Sequence, residues 1–283
     1  MNLVLERMPQ ISPLSPKVLG TLGRKPKPDT VLPEMSVELA GVGFDAGKLA
    51  AYREICGFTG EAVPIPYPQV NAISLQMHLL TQPQFPLPLV GLVHLKNTIT
   101  QQRELRADET FDMRISLIGQ RTTDKGLEFD LETTCTEPGG KAVWRSVATV
   151  LNRAKQGPKR KGPPPPAPPA HLGQYHAINA PEDIGRRYGR IAGDMNPIHL
   201  YPLTAKFLGF ERHIAHGMWT MARACALLQP DLGRPPQRLD TQFRQPVFLP
   251  AKAALRYGAS GDAVAFSLIG VGSGKLHLEG VLR

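Results

Sequence analysis

The chain has 283 residues, enough for one large domain or two medium ones, each with its own core. Hydrophobic residues make up 42% and charged residues 20%, which is globular composition and excludes a largely disordered chain. A net charge of +9 fits a basic surface or an anionic, phosphate-bearing ligand, while aromatics at 6% and the lack of any nucleic-acid motif argue against a nucleic-acid partner.

The apolar runs, such as residues 86–93, fall well short of the roughly 20 residues of a membrane helix, so no membrane span is expected. Residues 1–29 hold prolines and scattered basic residues without a continuous apolar core, so no secretory signal is read there. Cys56, Cys135 and Cys225 are widely spaced and form neither a disulfide framework nor a zinc pattern. The expectation is a cytoplasmic protein.

In chain order, Leu49, Tyr52 and Ile55 fall at helical spacing, and an apolar segment over residues 70–80 is a second helix candidate. That helix should stop before Pro83, Pro86 and Pro88, which would leave room for a long or bulky ligand chain. Alternating runs at 93–99, 111–117, 127–133 and 143–150 read as strands, with turns at 122–126 and 137–140. Residues 157–170, GPKRKGPPPPAPPA, then punctuate the chain. Consecutive prolines lack amide donors and favour an extended polyproline helix, so this is a semi-rigid spacer that also collects Lys159, Arg160 and Lys161 just after Lys155. The expected division is residues 1–156, the spacer 157–170, and residues 171–283.

The second half repeats the order of the first. Ile184, Tyr188 and Ile191 recur at helical spacing, with Glu182 and Asp183 early and Arg186, Arg187 and Arg190 late, an arrangement that complements the helix dipole. Residues 217–228 carry only Arg223 as a charge and read as a buried helix. Alternating runs at Leu239/Thr241/Phe243, Ala253/Leu255/Tyr257, Val264/Phe266/Leu268 and Leu276/Leu278 complete an antiparallel meander, its later turns at 260–262 and 272–274. A helix wrapped by an antiparallel sheet, made twice, gives an α+β fold.

The repeat can be aligned residue by residue. Tyr52, Ile55 and Gly57 match Tyr188, Ile191 and Gly193, and both copies go on to a Pro-Ile pair, Pro64-Ile65 and Pro197-Ile198. After the shared glycine the first copy has Phe58 where the second has Asp194; after Pro-Ile it has Pro66 where the second has His199. Only the second half keeps ionisable groups there. Gly193 can end a helix, Asn196-Pro197 suits the cap and first position of a new turn, and Asp194 and His199 then flank a short irregular segment. A carboxylate and an imidazole around one water form an acid/base pair. Read singly, Asp194 could equally be a helix cap and His199 an ordinary core or surface histidine. His213 and His216, at i and i+3 near the pair, also raise a metal site, although zinc needs three or four ligands in set geometry. His216-Gly217 opens the buried helix, where free amides can hold an oxyanion and the absent side chain admits a ligand, unless Gly217 is merely a turn residue.

These segments, Gly193-Asp194-Met195-Asn196-Pro197-Ile198-His199 followed by Ala215-His216-Gly217-Met218, resemble the MaoC-like family of (R)-specific enoyl-CoA hydratases and 3-hydroxyacyl-thioester dehydratases. The resemblance is strong over residues 171–283 and weaker over the first half, as in double-hotdog members in which one half has lost the pair. It implies a hotdog fold in each half and reversible hydration of trans-2-enoyl thioesters to (3R)-3-hydroxyacyl thioesters. Asp194 and His199 would hold the water, the Gly217 amide would meet the thioester oxygen, Asn196 would brace the turn and His216 would border the substrate. It implies neither metal nor redox cofactor. The expected substrate is an acyl-CoA or an acyl carrier protein thioester, handled by a monomeric pseudo-dimer or a homodimer. A hotdog thioesterase and a non-catalytic acyl-thioester-binding module are the alternatives, and Trp219 is a candidate for either pocket or core.

Overall fold

A computed structural model describes residues 1–11, 15–27, 29–153 and 172–283. The proline-rich spacer and its basic residues lie outside this set. In the first half, β1 (Asn2–Leu5), a short α1 (Pro16–Leu19) and β2 (Ser36–Gly43) precede α2 (Ala46–Cys56) and α3 (Pro68–Thr81). Four strands follow: β3 (Leu92–Gln101), β4 (Thr110–Thr123), β5 (Gly126–Thr136) and β6 (Ala142–Arg153). The second half has β7 (Gln174–Ala180), α4 (Ile184–Ala192), a short α5 (Pro202–Phe207) and α6 (Gly217–Leu232). It closes with β8 (Arg238–Phe243), β9 (Ala251–Ser260), β10 (Ala263–Gly270) and β11 (Leu276–Leu282).

The strands form one sheet in the order β1-β2-β4-β5-β6-β3-β8-β11-β10-β9-β7. All neighbours are antiparallel except β1 beside β2. The halves meet where β3 pairs with β8, from Lys96 opposite Gln242 to Thr100 opposite Arg238. Each half lays its long helix on the inner face of its strands. α3 buries Val70, Ala72, Leu75 and Leu79; α6 buries Trp219, Met221, Ala222, Ala224, Cys225 and Leu228, as its nearly uncharged sequence requires.

The repeat read from the sequence is a spatial one. Tyr52 and Tyr188, matched in the alignment, meet with ring centroids 6.0 Å apart where α2 and α4 cross. The end of each of these helices reaches over the other half. Trp219 Nε1 donates to the Ile55 carbonyl at 3.1 Å and Arg223 to the Cys56 carbonyl at 3.1 Å, so α6 caps the end of α2. Gly193, at the end of α4, lies against Ile73 of α3. Trp219 is therefore a core residue that ties the halves together, 3% exposed.

The expectation of free space beyond α3 is not met. The helix does stop at Thr81, but Phe85 and Leu87 turn inward and are fully buried, and Arg24 donates to the carbonyls of Leu80, Thr81, Gln82 and Leu87. The prolines direct apolar side chains into that space instead of leaving it open.

A fragment of residues 172–283 would expose the β8 edge and the α6 surface that Ile55 and Cys56 cover. Unpaired strand edges recruit other strands. The fragment is expected to be insoluble or to self-associate on size-exclusion chromatography with light scattering, whereas a soluble, fully active monomer would contradict the packing described.

Candidate active site

The site is built on glycines. α4 ends at Gly193, whose φ of 77° is left-handed and suits a residue without Cβ. Gly185 and Gly189, one helical turn apart, let the following chain fold back on α4. A Cβ at Gly185 would collide with the His199 carbonyl, and one at Gly189 would stand 2.6 Å from the Asp194 carbonyl oxygen. The sequence reading passed over both. Two glycines four apart inside a helix weaken it, which signals a packing reason.

Asn196 caps the 3-10 turn Pro197–His199, its side chain accepting from Ile198 N at 3.3 Å, and Asp194 Oδ1 accepts from Asn196 N at 3.2 Å. His199 is 8% exposed and its Nδ1 donates to the Ile214 carbonyl at 2.8 Å. A carbonyl can only accept, so the neutral ring carries its proton on Nδ1 and leaves Nε2 as an acceptor. His216, 3% exposed, donates from Nε2 to the Asp194 main-chain carbonyl at 2.9 Å, and its ring stacks on His199 at 3.7 Å between centroids. Asp194 is the half-buried member, its Oδ2 3.8 Å from His216 Nε2. His213 points elsewhere, donating to the Glu182 carbonyl at 2.8 Å.

Asp194, His199 and His216 thus bring ligand-type atoms within 4.8 Å of one another. The geometry suits water better than a metal. Stacked imidazoles inclined by 25° hold their lone pairs in nearly parallel planes, whereas a metal needs them to meet at one point, and His216 Nε2 is already committed to a carbonyl. Burial pushes the His199 imidazole down to about 3, with His216 adding to the shift and Asp194 opposing it; burial also lowers His216.

Gly217 is the first residue of α6, where main-chain amides lack intrahelical partners. A Cβ there would stand 3.0 Å from the Phe243 ring, so the glycine is where the ring closes over the helix start. In the first half the corresponding helix start is Tyr67-Pro68, and proline has no amide to offer. Phe58, in the place of Asp194, stacks near Tyr52 at 6.2 Å.

Gly185→Ala should displace the main chain of His199. Overpacking of this kind costs ~1–3 kcal/mol, and a misplacement of about 1 Å can lower turnover ~100-fold. A variant with the wild-type melting temperature and wild-type activity would show that this contact does not set the His199 position.

The buried histidines also set an acid limit. His199 at about 3, His94 at about 4 and the lowered His216 stay neutral when folded, whereas an unfolded histidine binds a proton near pH 6.5. The unfolded state binds more protons between these values, so stability falls as pH drops below ~6.5, by up to about 1.4 kcal/mol per pH unit per histidine. Melting temperatures from pH 7 to 5 should decline, and His94→Gln should flatten the decline.

A family model for the MaoC like domain matches residues 163–280. The 3-hydroxyacyl-thioester dehydratase X of Mycobacterium tuberculosis is 33% identical over 271 residues, covering 93% of this chain and 94% of that protein. The crystal structure of HtdX from the same organism is similar with a TM-score of 0.75 at 29% identity, over 88% of this chain and 99% of that one. Another Mycobacterium tuberculosis protein, solved as a double hotdog fold, is similar with a TM-score of 0.55 at 14% identity, over 86% of this chain and 92% of that one, a likeness of fold alone. The architecture is the double hotdog, and the chain belongs to the MaoC-like dehydratase family.

Proposed function

We propose that the chain catalyses reversible hydration of trans-2-enoyl thioesters to (3R)-3-hydroxyacyl thioesters, with Asp194 and His199 as its catalytic pair. The observation that carries this reading is the His199 ring, pinned at Nδ1 and open at Nε2, beside a carboxylate at the start of a buried helix. Relatives that are named as dehydratases support the reaction class.

In the hydration direction, the Gly217 amide polarises the thioester carbonyl as charge moves onto its oxygen. Water bound between Asp194 and His199 Nε2 attacks the β carbon while its proton passes to Nε2. Burial makes the resulting imidazolium a strong acid, so it returns that proton to the α carbon of the enolate, and Asp194 stabilises it in the interval. Water is added and nothing else is consumed. One imidazole serving both carbons implies syn addition. Dehydration runs the same steps in reverse. His216 acts as a positioning residue through the Asp194 main chain, and Asn196 holds the turn. In this reading residues 171–283 are the active hotdog and residues 1–156 the degenerate one, with residues 157–170 joining them.

Asp194→Asn and His199→Gln keep size and hydrogen bonding but stop proton transfer, so each should lower hydration of a trans-2-enoyl-CoA ~10²–10⁴-fold, followed by loss of the conjugated absorbance. Because the pair acts as a unit, the double variant should be little worse than either single one. Near-wild-type turnover by either folded variant, or a (3S) product detected with an enantiomer-specific dehydrogenase, would overturn the assignment.

A further inference from the structure

Immediately after His199 the chain exposes an apolar surface. Leu203 is 65% exposed and Phe207 82%, with Tyr201 and Leu208 beside them in sequence and also exposed. Single exposed apolar residues are ordinary, but four within eight positions on one short segment mark an interaction surface. This segment is tied to the site, because Thr204 Oγ1 donates to the Pro197 carbonyl at 2.7 Å. Its neighbours are basic. Lys206 and Arg212 are exposed on the segment itself, and α4, which touches it through Arg186, also carries Arg187 and Arg190, both exposed. Arg186 lies over the Tyr201 ring at 4.8 Å while donating to the Leu200 carbonyl at 2.7 Å. Among the described residues none of these five cations pairs with a carboxylate, although Glu182, Asp183 and Glu211 offset part of the charge.

We propose that the segment from Tyr201 to Arg212, with the arginines of α4, is the docking surface for an acidic carrier protein that presents the acyl thioester on a flexible arm. The inference rests on the dehydratase reading and names the partner that delivers its substrate. The composition decides the occupant. A free coenzyme would use the cations for its phosphates but has little to cover Leu203, Phe207 and Leu208, whereas an acidic helical protein offers carboxylates to the rim and apolar side chains to the centre. Position agrees, since α5 follows His199 by three residues, within reach of the arm of a carrier docked on it. A membrane surface is disfavoured because α5 has only six residues, too few to lie in a lipid interface as an amphipathic helix.

The test compares one trans-2-enoyl group carried by an acyl carrier protein and by CoA, with wild type, Phe207→Ser and Lys206→Glu. Removing an exposed anchor or reversing a rim charge should lower kcat/KM on the carrier-bound substrate by roughly tenfold, and leave the CoA thioester within about twofold. Equal losses on both substrates, or no loss on the carrier, overturn the docking surface while leaving the dehydratase reading intact. If neither substrate is turned over, the dehydratase reading fails. Docking is then judged by calorimetric titration of the carrier into wild type and Phe207→Ser, with binding lost in the variant expected and binding retained overturning it. Cosedimentation with phosphatidylglycerol vesicles, or concentration-dependent dimerisation, abolished by Phe207→Ser without a carrier-specific loss would assign the patch to lipid or to a second copy and overturn the proposal.

Discussion

β3 pairs with β6 along one edge and with β8 along the other, so neither half of the sheet ends where the halves meet. This pairing fixes the remaining geometry. With the two sheets locked edge to edge, α3 and α6 each cover the strands of their own half, and α2 and α4 pack on each other and across to the opposite half's long helix. The tyrosines that meet at that crossing, and the reach of each helix end over the opposite half, follow from the join. The site therefore depends on both halves although its polar groups come from one. Asp194 begins where α4 ends on α3, and its carbonyl is held by His216 at the start of α6.

Two copies of one plan differ in the segment between their helices. In the second, α4 turns out through Gly193 into a segment with room for a carboxylate, an imidazole and the overhanging α5. In the first, Pro64–Pro66 leads directly into α3, Phe58 fills the position of the carboxylate, and Arg223 occupies the space beside Gly57. Pro68 removes the amide that Gly217 retains. The first copy thus lacks the carboxylate, the imidazole and the leading amide that the second copy brings together.

Much of this was legible in the sequence because it follows from local chemistry. Alternation gave the long strands, since one face packs on a helix and the other meets solvent, and Gly261 and Gly272 marked turns with φ of 64° and 78°. The Tyr-Ile-Gly spacing identified the repeat, and Phe58 and Pro66 identified the half without ionisable groups. What escaped depends on distant contacts. β7 is an edge strand in which Ile178 and Ala180 are the buried residues, too few to show alternation. β2 is interrupted at Gly41, where its register with β4 shifts between Leu39 and Val42. Phe85 and Leu87 sit among prolines that read as a loop, yet the fold calls them inward. The paired glycines hint at a close contact, but nothing local announced that main chain from His199 and Asp194 would fill it, or that α5 would leave its apolar side chains outside.

The partner of His199 Nδ1 is a main-chain carbonyl, and that carbonyl belongs to a residue fixed by main-chain bonds of its own. Ile214 N donates to the Ile198 carbonyl at 3.0 Å, Ala215 N to the Val247 carbonyl at 2.9 Å, and Ile214 bridges to Phe248. In many acid/base sites a carboxylate selects the tautomer, and a single codon change can erase it. Here the information lies in the backbone path, which every amino acid except proline preserves. Changes at position 214 that its buried packing accepts leave the same carbonyl in place, so the tautomer of this imidazole does not hang on one side chain's chemistry.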